Sequence, residues 1–313
     1  MGQLIDGVWN TAWYEPDEKG AFKRPKTQFR SRVTKDGSSG FAPEAGRYHL
    51  YVSYACPWAH RVLITRAERG LEDVIGVTVV DPKMGDDGWP FSANDPDPLG
   101  GRFLRDVYVR ANPKYTGRVT VPVFWDNKTS TIVNNESREL MRILDTEFAH
   151  LAKTPGTLAP KELVPRIDEV LDAIYEPINN GVYRAGFATK QEAYESACNE
   201  LFTALDHWDG VLGKQRYLAG SVFTEADVAM FTTLLRFDVV YYAHFKCNKR
   251  RIQDYPNLGG YLRDVYQRPA VKKTCHLDQI KLHYYWSQIA VNPHRIVPVG
   301  PSLDYLELPH GRG

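Results

Sequence analysis

Apolar and polar residues alternate over residues 47–53 (RYHLYVS), placing Tyr48, Leu50 and Val52 on one face, which predicts a β-strand. A helix is expected over residues 57–70 (PWAHRVLITRAERG), with Val62, Leu63, Thr65, Arg66 and Arg69 setting an apolar face against a basic one. A second strand follows at 74–80 (VIGVTVV). A strand–helix–strand of this length predicts parallel strands joined by a right-handed crossover. The pattern then stops. Residues 82–118 open with PKMGDDGWPFSANDPDPLGGRF, rich in Gly, Pro and Asp and without periodicity, and read as a long inserted loop. Strands return at 119–126 and 129–133, a hairpin turning at Asn127 and Lys128. A helix opens at Asn134-Asn135-Glu136-Ser137, with Leu140, Ile143, Leu144 and Phe148 on one face.

Beyond residue 155 the pattern changes. KTPGTLAPKELVP reads as a linker, and the segments after it are helical: 164–180, 189–213, 224–246, 256–268 and 271–289. Thr224 and Asp227 carry the signature of a capping box. The expected organisation is an extended arm at 1–46 packing through Trp9, Trp13, Tyr14 and Phe29, an α/β domain at 47–152 with its insert at 82–118, an all-helical domain at 160–291, and an irregular tail at 292–313.

Composition narrows the function classes. The 313 residues give room for two domains, and 43% hydrophobic with 25% charged residues is ordinary for a soluble protein. A net charge of +1 removes the electrostatic case for nucleic acid or a membrane surface. No secretory leader or apolar run of spanning length is read, and Asp6 breaks the myristoylation pattern that Met1-Gly2 begins. The four cysteines, Cys56, Cys198, Cys247 and Cys275, are too far apart for a disulfide framework and show no metal-ligand spacing. The expectation is a reducing, cytoplasmic setting and no metal.

Candidate chemistry centres on Cys56, at the turn between the first strand and its helix, with Pro57 in the first helical turn. Free N–H groups and the positive end of the helix dipole favour a thiolate there. A lone cysteine is more often a small buried apolar residue, but this setting favours the nucleophile. Trp89 in the insert either stands by a ligand or pins the loop. Pro122 enters the third strand; a cis bond would turn the Val121 main chain toward a ligand, while an ordinary trans edge proline is the simpler alternative. Glu136 and Ser137, in the first turn of a helix, suit a carboxylate and an ammonium, or Glu136 merely complements the dipole. This order of elements is the thioredoxin arrangement. Ala59 stands where a second cysteine would complete Cys-x-x-Cys, so Cys56 either works with an external thiol or has no redox role.

Nearly the whole chain resembles the glutathione transferase superfamily. Val121-Pro122, Glu136-Ser137 and the Thr224–Asp227 box match its pattern. Cys56-Pro57-Trp58-Ala59, with GRYHLYVSYACPWAHR, GWPF, TVPVFWD, IVNNES and NGVYRAGFAT, resembles its xi class, the glutathionyl-hydroquinone reductases. The resemblance implies an α/β thioredoxin-like N-terminal domain plus an all-α C-terminal domain, with glutathione as co-substrate, an aromatic glutathionyl-hydroquinone substrate, and a homodimer. It implies Cys56 as nucleophile, a cis Pro122, Val121 pairing with the cysteinyl part of glutathione, and Glu136 and Ser137 holding its γ-glutamyl end. Trp89 would pack on glutathione and Arg118 would meet one of its anionic groups. Tyr183 and either Tyr284 or Tyr285, the latter pair following one another on one helix, would line the acceptor pocket. Two rivals are an omega-like thioltransferase or dehydroascorbate reductase, and a quinone-binding protein without catalysis.

Overall fold

The computed structural model describes every residue except Met1 and Trp13, so the packing expected of Trp13 lies outside the described residues. The chain divides into two compact units. One comprises Met1–Tyr14 with Pro25–Thr157, and the other Glu15–Arg24 with Leu158–Gly313. The arm expected at 1–46 is thus shared between the units.

In chain order the first unit holds β1 (Gln3–Ile5), β2 (Val8–Asn10), β3 (Tyr48–Val52), α1 (Pro57–Glu68), β4 (Gly76–Val79), α2 (Leu104–Ala111), β5 (Gly117–Arg118), β6 (Val123–Asp126), β7 (Thr131–Asn134) and α3 (Ser137–Thr146). The main sheet runs β4-β3-β6-β7, with β3 and β4 parallel and the other pairs antiparallel, as a thioredoxin-like unit requires. Leu50, Val52, Val123 and Phe124 fill its core with Val62 of α1 and Leu140 of α3. Tyr48 faces Asp126 across the β3–β6 ladder. Next to it the Arg47 guanidinium grips the Asp126 carboxylate with two bonds of 2.8 Å.

Three segments of this unit differ from expectation. The arm contributes regular structure: β1 and β2 form a hairpin, and β5 adds to it as a small antiparallel sheet. Gly7, at φ +77°, makes that turn, where a Cβ would lie 2.0 Å from the Pro113 carbonyl oxygen. The insert contains a helix, α2, which ends the reading of 82–118 as a loop. Its signal was present in Leu104, Val107 and Tyr108, spaced for one buried face, and in Asp106, whose carboxylate accepts from the Arg102 and Phe103 N–H groups at 2.8 and 3.0 Å. The third strand also begins later than expected, at Val123, because Pro122 has no N–H to give a ladder.

The second unit holds α4 (Val164–Ile174), a π-turn at Tyr175–Asn179, α5 (Gly181–Gly186), α6 (Gln191–Leu212), α7 (Glu225–Arg236), a second π-turn at Phe237–Tyr241, α8 (Leu258–Tyr266), α9 (Pro269–Lys272) and α10 (Leu277–Ser287). No strand occurs among its described residues. Every residue of α7 is buried, so this helix is the centre of the unit. Its start is fixed by Asp227, whose carboxylate accepts from the Thr224 N–H at 2.9 Å, the Leu218 N–H at 2.8 Å and the Tyr261 hydroxyl at 3.0 Å. The stretch left between the expected helices 164–180 and 189–213 contains α5, which carries Tyr183. Gly186 closes it, where a Cβ would fall 2.2 Å from the Phe245 ring. The tail is mostly irregular but tied down: Arg312 donates to the carbonyls of Leu212, Gln215 and Arg216 at 2.8–2.9 Å. Among the described residues no helix is long and apolar enough to cross a membrane.

Candidate active site

Cys56 is the N-cap of α1, with extended backbone angles (φ −77°, ψ 121°), and Pro57 follows in the first turn. No acidic residue lies in that turn to compete with a thiolate for the helix dipole. The thiol is half-buried, and its Sγ lies 3.6 Å from the Val121 carbonyl oxygen. Strand end, helix start and the entrance to β6 therefore meet at one sulfur. The Val121–Pro122 peptide bond is cis. The Val121 N–H forms no hydrogen bond among the described residues, which leaves it open to an extended partner.

Glu136 caps α3. Its carboxylate accepts from the Arg138 N–H at 3.3 Å and from the Thr27 hydroxyl at 3.1 Å. Ser137 is the first residue of the helix, buried, and its Oγ has no hydrogen-bond partner among the described residues. A buried hydroxyl without a partner is uncommon in a folded protein, and beside a helix N-terminus it suits an incoming carboxylate. Trp89 is only 4% exposed and sits in the core, its carbonyl accepting the Leu104 N–H at 2.9 Å, so it anchors the insert to α2. Arg118 donates to the Ala12 carbonyl at 2.7 Å and lies 4.3 Å from the centroid of the Tyr14 ring, which ties the guanidinium to the N-terminal arm.

In the helical unit, three phenols close on one another. Tyr183 of α5 and Tyr284 of α10 have their hydroxyls 2.5 Å apart. Tyr241 of the second π-turn lies 3.1 Å from Tyr284 and 3.5 Å from Tyr183. All three are buried, and burial drives the Tyr241 and Tyr284 phenols well above their usual range, so they stay protonated and can donate. Tyr284, not Tyr285, is brought to Tyr183. Tyr285 packs instead on His244, with ring centroids 4.6 Å apart. Tyr241 joins this cluster although its spacing alone places it only on a helix.

The other cysteines differ in kind. Cys198 and Cys247 are buried, and burial pushes the Cys247 thiol far up and the Cys275 thiol up to about 12, so neither of these two is a ready thiolate. Among the described residues no group of three or more His, Cys, Asp or Glu is placed to hold a metal.

The glutathione S-transferase N-terminal domain family matches residues 55–147, and the C-terminal domain family matches 191–264. The chain is 49% identical to the glutathionyl-hydroquinone reductase YqjG of Escherichia coli, over 100% of this chain and 98% of the relative. It is 48% identical to the glutathionyl-hydroquinone reductase PcpF of Sphingobium chlorophenolicum, over 96% and 97%. Among solved structures, a xi-class transferase from Natrialba magadii superposes with a TM-score of 0.94 at 54% identity, over 100% of this chain and 96% of the other. Glutathione-bound YqjG superposes at 0.91 and 47%, covering 99% of each chain. With a thiol at a helix N-cap, a cis-proline corner and full-length likeness to these proteins, the chain belongs to the xi class of the glutathione transferase superfamily, the glutathionyl-hydroquinone reductases.

Proposed function

We propose that this protein reduces aromatic glutathionyl-hydroquinones with glutathione, and that Cys56 carries the glutathionyl group between the two steps. The observation that carries the reading is Cys56 at the N-cap of α1 beside the Val121 carbonyl, with Ala59 in place of a resolving cysteine. In the first step the Cys56 thiolate attacks the substrate sulfur. A sulfur–sulfur bond forms, the carbon–sulfur bond breaks, and its electron pair returns to the ring carbon, which takes a proton. Cys56 is oxidised to a mixed disulfide and the ring is reduced to the hydroquinone. In the second step glutathione, as thiolate, attacks the sulfur that Cys56 carries, giving glutathione disulfide and regenerating Cys56.

The open Val121 N–H supports pairing with the cysteinyl part of glutathione, and the open Ser137 hydroxyl at the start of α3 supports capture of its γ-glutamyl carboxylate. The Glu136 carboxylate would take the neighbouring ammonium. Trp89 would contribute through the firmness it gives the insert, and Arg118 through its hold on the N-terminal arm. For the aromatic acceptor we assign Tyr183 and Tyr284, joined by Tyr241, to hydrogen-bond the quinol oxygens and deliver the proton. Tyr285 is given a supporting place against His244. We further propose a homodimer, on the resemblance to the superfamily, and a cytoplasmic setting, in keeping with four free cysteines.

The decisive experiment is mass spectrometry after incubation with glutathione disulfide. Glutathione is expected on Cys56 and not on Cys198, Cys247 or Cys275; modification elsewhere with Cys56 untouched defeats the assignment. A second reading has its own support, since a relative from Schizosaccharomyces pombe, 45% identical over 94% of this chain, is called glutathione S-transferase omega-like 2. Turnover of a glutathionyl-hydroquinone against dehydroascorbate separates the two, and a preference for dehydroascorbate favours the second. Size-exclusion chromatography with light scattering tests the dimer.

A further inference from the structure

Residues 15–24 pack with the helical unit as a strap. The Thr189 N–H donates to the Gly20 carbonyl at 3.0 Å, and Lys190 Nζ donates to the Glu18 carbonyl at 2.7 Å. Gly20 has φ +78°, and a Cβ there would lie 2.7 Å from the Lys190 side chain, so the strap lies close along the start of α6. Phe22 sets its edge on Phe187 at 5.3 Å. The strap ends in Arg24. Its Nε donates to Asn180 Oδ1 at 2.9 Å, and its guanidinium stands 4.8 Å from the centroid of the Tyr183 ring. Asn180, which precedes α5, is itself held, its amide donating to Glu176 at 3.2 Å.

We propose that Arg24 is a positioning residue for the acceptor step, acting through Tyr183. The inference rests on the reading that the tyrosine cluster receives the aromatic acceptor. The helix α5 has six residues and cannot fix a ring by itself. The Tyr183 ring is bounded by Phe187, Phe245 and Tyr241, with centroids 5.6–5.9 Å away, and Arg24 supplies a further contact, the only charged one of these. A cation near a phenol ring draws electron density from it, which makes the hydroxyl a better donor. Its field also favours negative charge on an oxygen bonded to that hydroxyl, the charge a quinol ring gains as the carbon–sulfur pair returns to it. The bond to Asn180 holds the guanidinium in place.

Three substitutions separate charge from hydrogen bonding. Arg24→Met removes both, Arg24→Gln keeps a donor for Asn180 without charge, and Arg24→Lys keeps the charge. With a glutathionyl-hydroquinone, Arg24→Met is expected to lower kcat roughly three- to thirty-fold, the span of a cation–π contact, with KM moved less than about two-fold. Arg24→Lys recovers part of the loss and Arg24→Gln does not. Reduction of hydroxyethyl disulfide, which has no aromatic leaving carbon, is measured alongside, and the kcat loss is confined to the quinol substrate. Parental kcat in Arg24→Met, equal recovery by the Gln and Lys variants, or parallel loss on both substrates overturns the proposal. Tyr183→Phe is run beside them. If it too has parental kcat, the tyrosine reading fails; if it is slow while Arg24→Met is not, only the Arg24 assignment fails. Should Arg24→Met fold poorly, the Lys and Gln pair decides alone.

Discussion

In the α/β unit a main-chain N–H at Val121 and a hydroxyl at Ser137, both at the ends of regular elements, have no hydrogen-bond partner among the described residues. In the helical unit the hydroxyls of Tyr183, Tyr241 and Tyr284 satisfy one another. The first arrangement is built from local turns and leaves its polar groups without partners among the described residues. The second is assembled from α5, α10 and a π-turn distant in sequence, and a ligand has to exchange bonds that already exist. On the proposed function, recognition of a peptide and handling of an aromatic ring would thus be divided between main-chain and side-chain devices. The same contrast appears in two buried carboxylates. Asp126 is gripped by the Arg47 guanidinium, and although burial opposes ionisation, this pair with the Thr129 hydroxyl and Lys128 N–H lowers its pKa. Asp227 has only uncharged donors, and burial raises it to about 6.

Cys56→Ser is expected to have the largest effect, abolishing mixed-disulfide formation and lowering turnover by roughly 10^3-fold or more, as loss of a nucleophile does. Steady-state rates and intact mass both report it; retained turnover would move the chemistry out of the α/β unit. The next effect compares the carboxylates. Asp126→Ala removes both bonds of 2.8 Å to the buried Arg47 guanidinium, which keeps the half-exposed Glu44 as its remaining carboxylate, and is expected to cost about 3 kcal/mol, the low end for a broken buried pair, whereas Asp227→Ala leaves neutral donors unmet and is expected to cost about 2 kcal/mol. Urea denaturation checks the order, and a reversal would mean that the α7 cap outweighs the ion pair. Ser137→Ala sharpens the distinction between open and closed sites. Because its hydroxyl has no partner among the described residues, stability should hold, while glutathione affinity falls by about ten-fold, the worth of one hydrogen bond to a carboxylate. Calorimetric titration and thermal melting read the two separately.

The smallest expected effect is in the dependence of stability on pH, where the two carboxylates act in opposite directions. Asp227 binds its proton more tightly folded than unfolded. Its contribution is fully present below the ordinary value of 3.8 and is lost as pH rises through about 6. Asp126, with a lowered pKa, contributes above 3.8 and loses that contribution as pH falls through its folded value. Asp227→Asn should therefore remove a decline in stability between about pH 4 and 6, and Asp126→Asn should flatten the acid limb below it. Denaturation midpoints across that range test both signs.

Much of the α/β unit was legible because its signals are local. The alternation at 47–53, Pro57 after Cys56, and Pro122 ahead of β6 each act through neighbours in the chain. The hidden elements had weaker or distant partners. The β1–β2 hairpin is stabilised by β5, about a hundred residues on, and α2 is short and follows a Gly-rich run. Tyr183 falls between the expected helices because Asn180 and Gly181 ordinarily interrupt helices, whereas here they open α5.

The sequence by itself determined the thiol, its place at a helix start, the absence of a resolving cysteine at Ala59, and the division into an α/β and a helical part, since helix and strand periodicity, caps and turn residues are properties of adjacent positions. Only the tertiary structure decided which of Tyr284 and Tyr285 joins Tyr183, brought Tyr241 into the same cluster, left Ser137 Oγ open, and set Arg24 against Tyr183. These depend on distances between segments more than forty residues apart. No local pattern fixes those distances, because they are set by how whole helices pack.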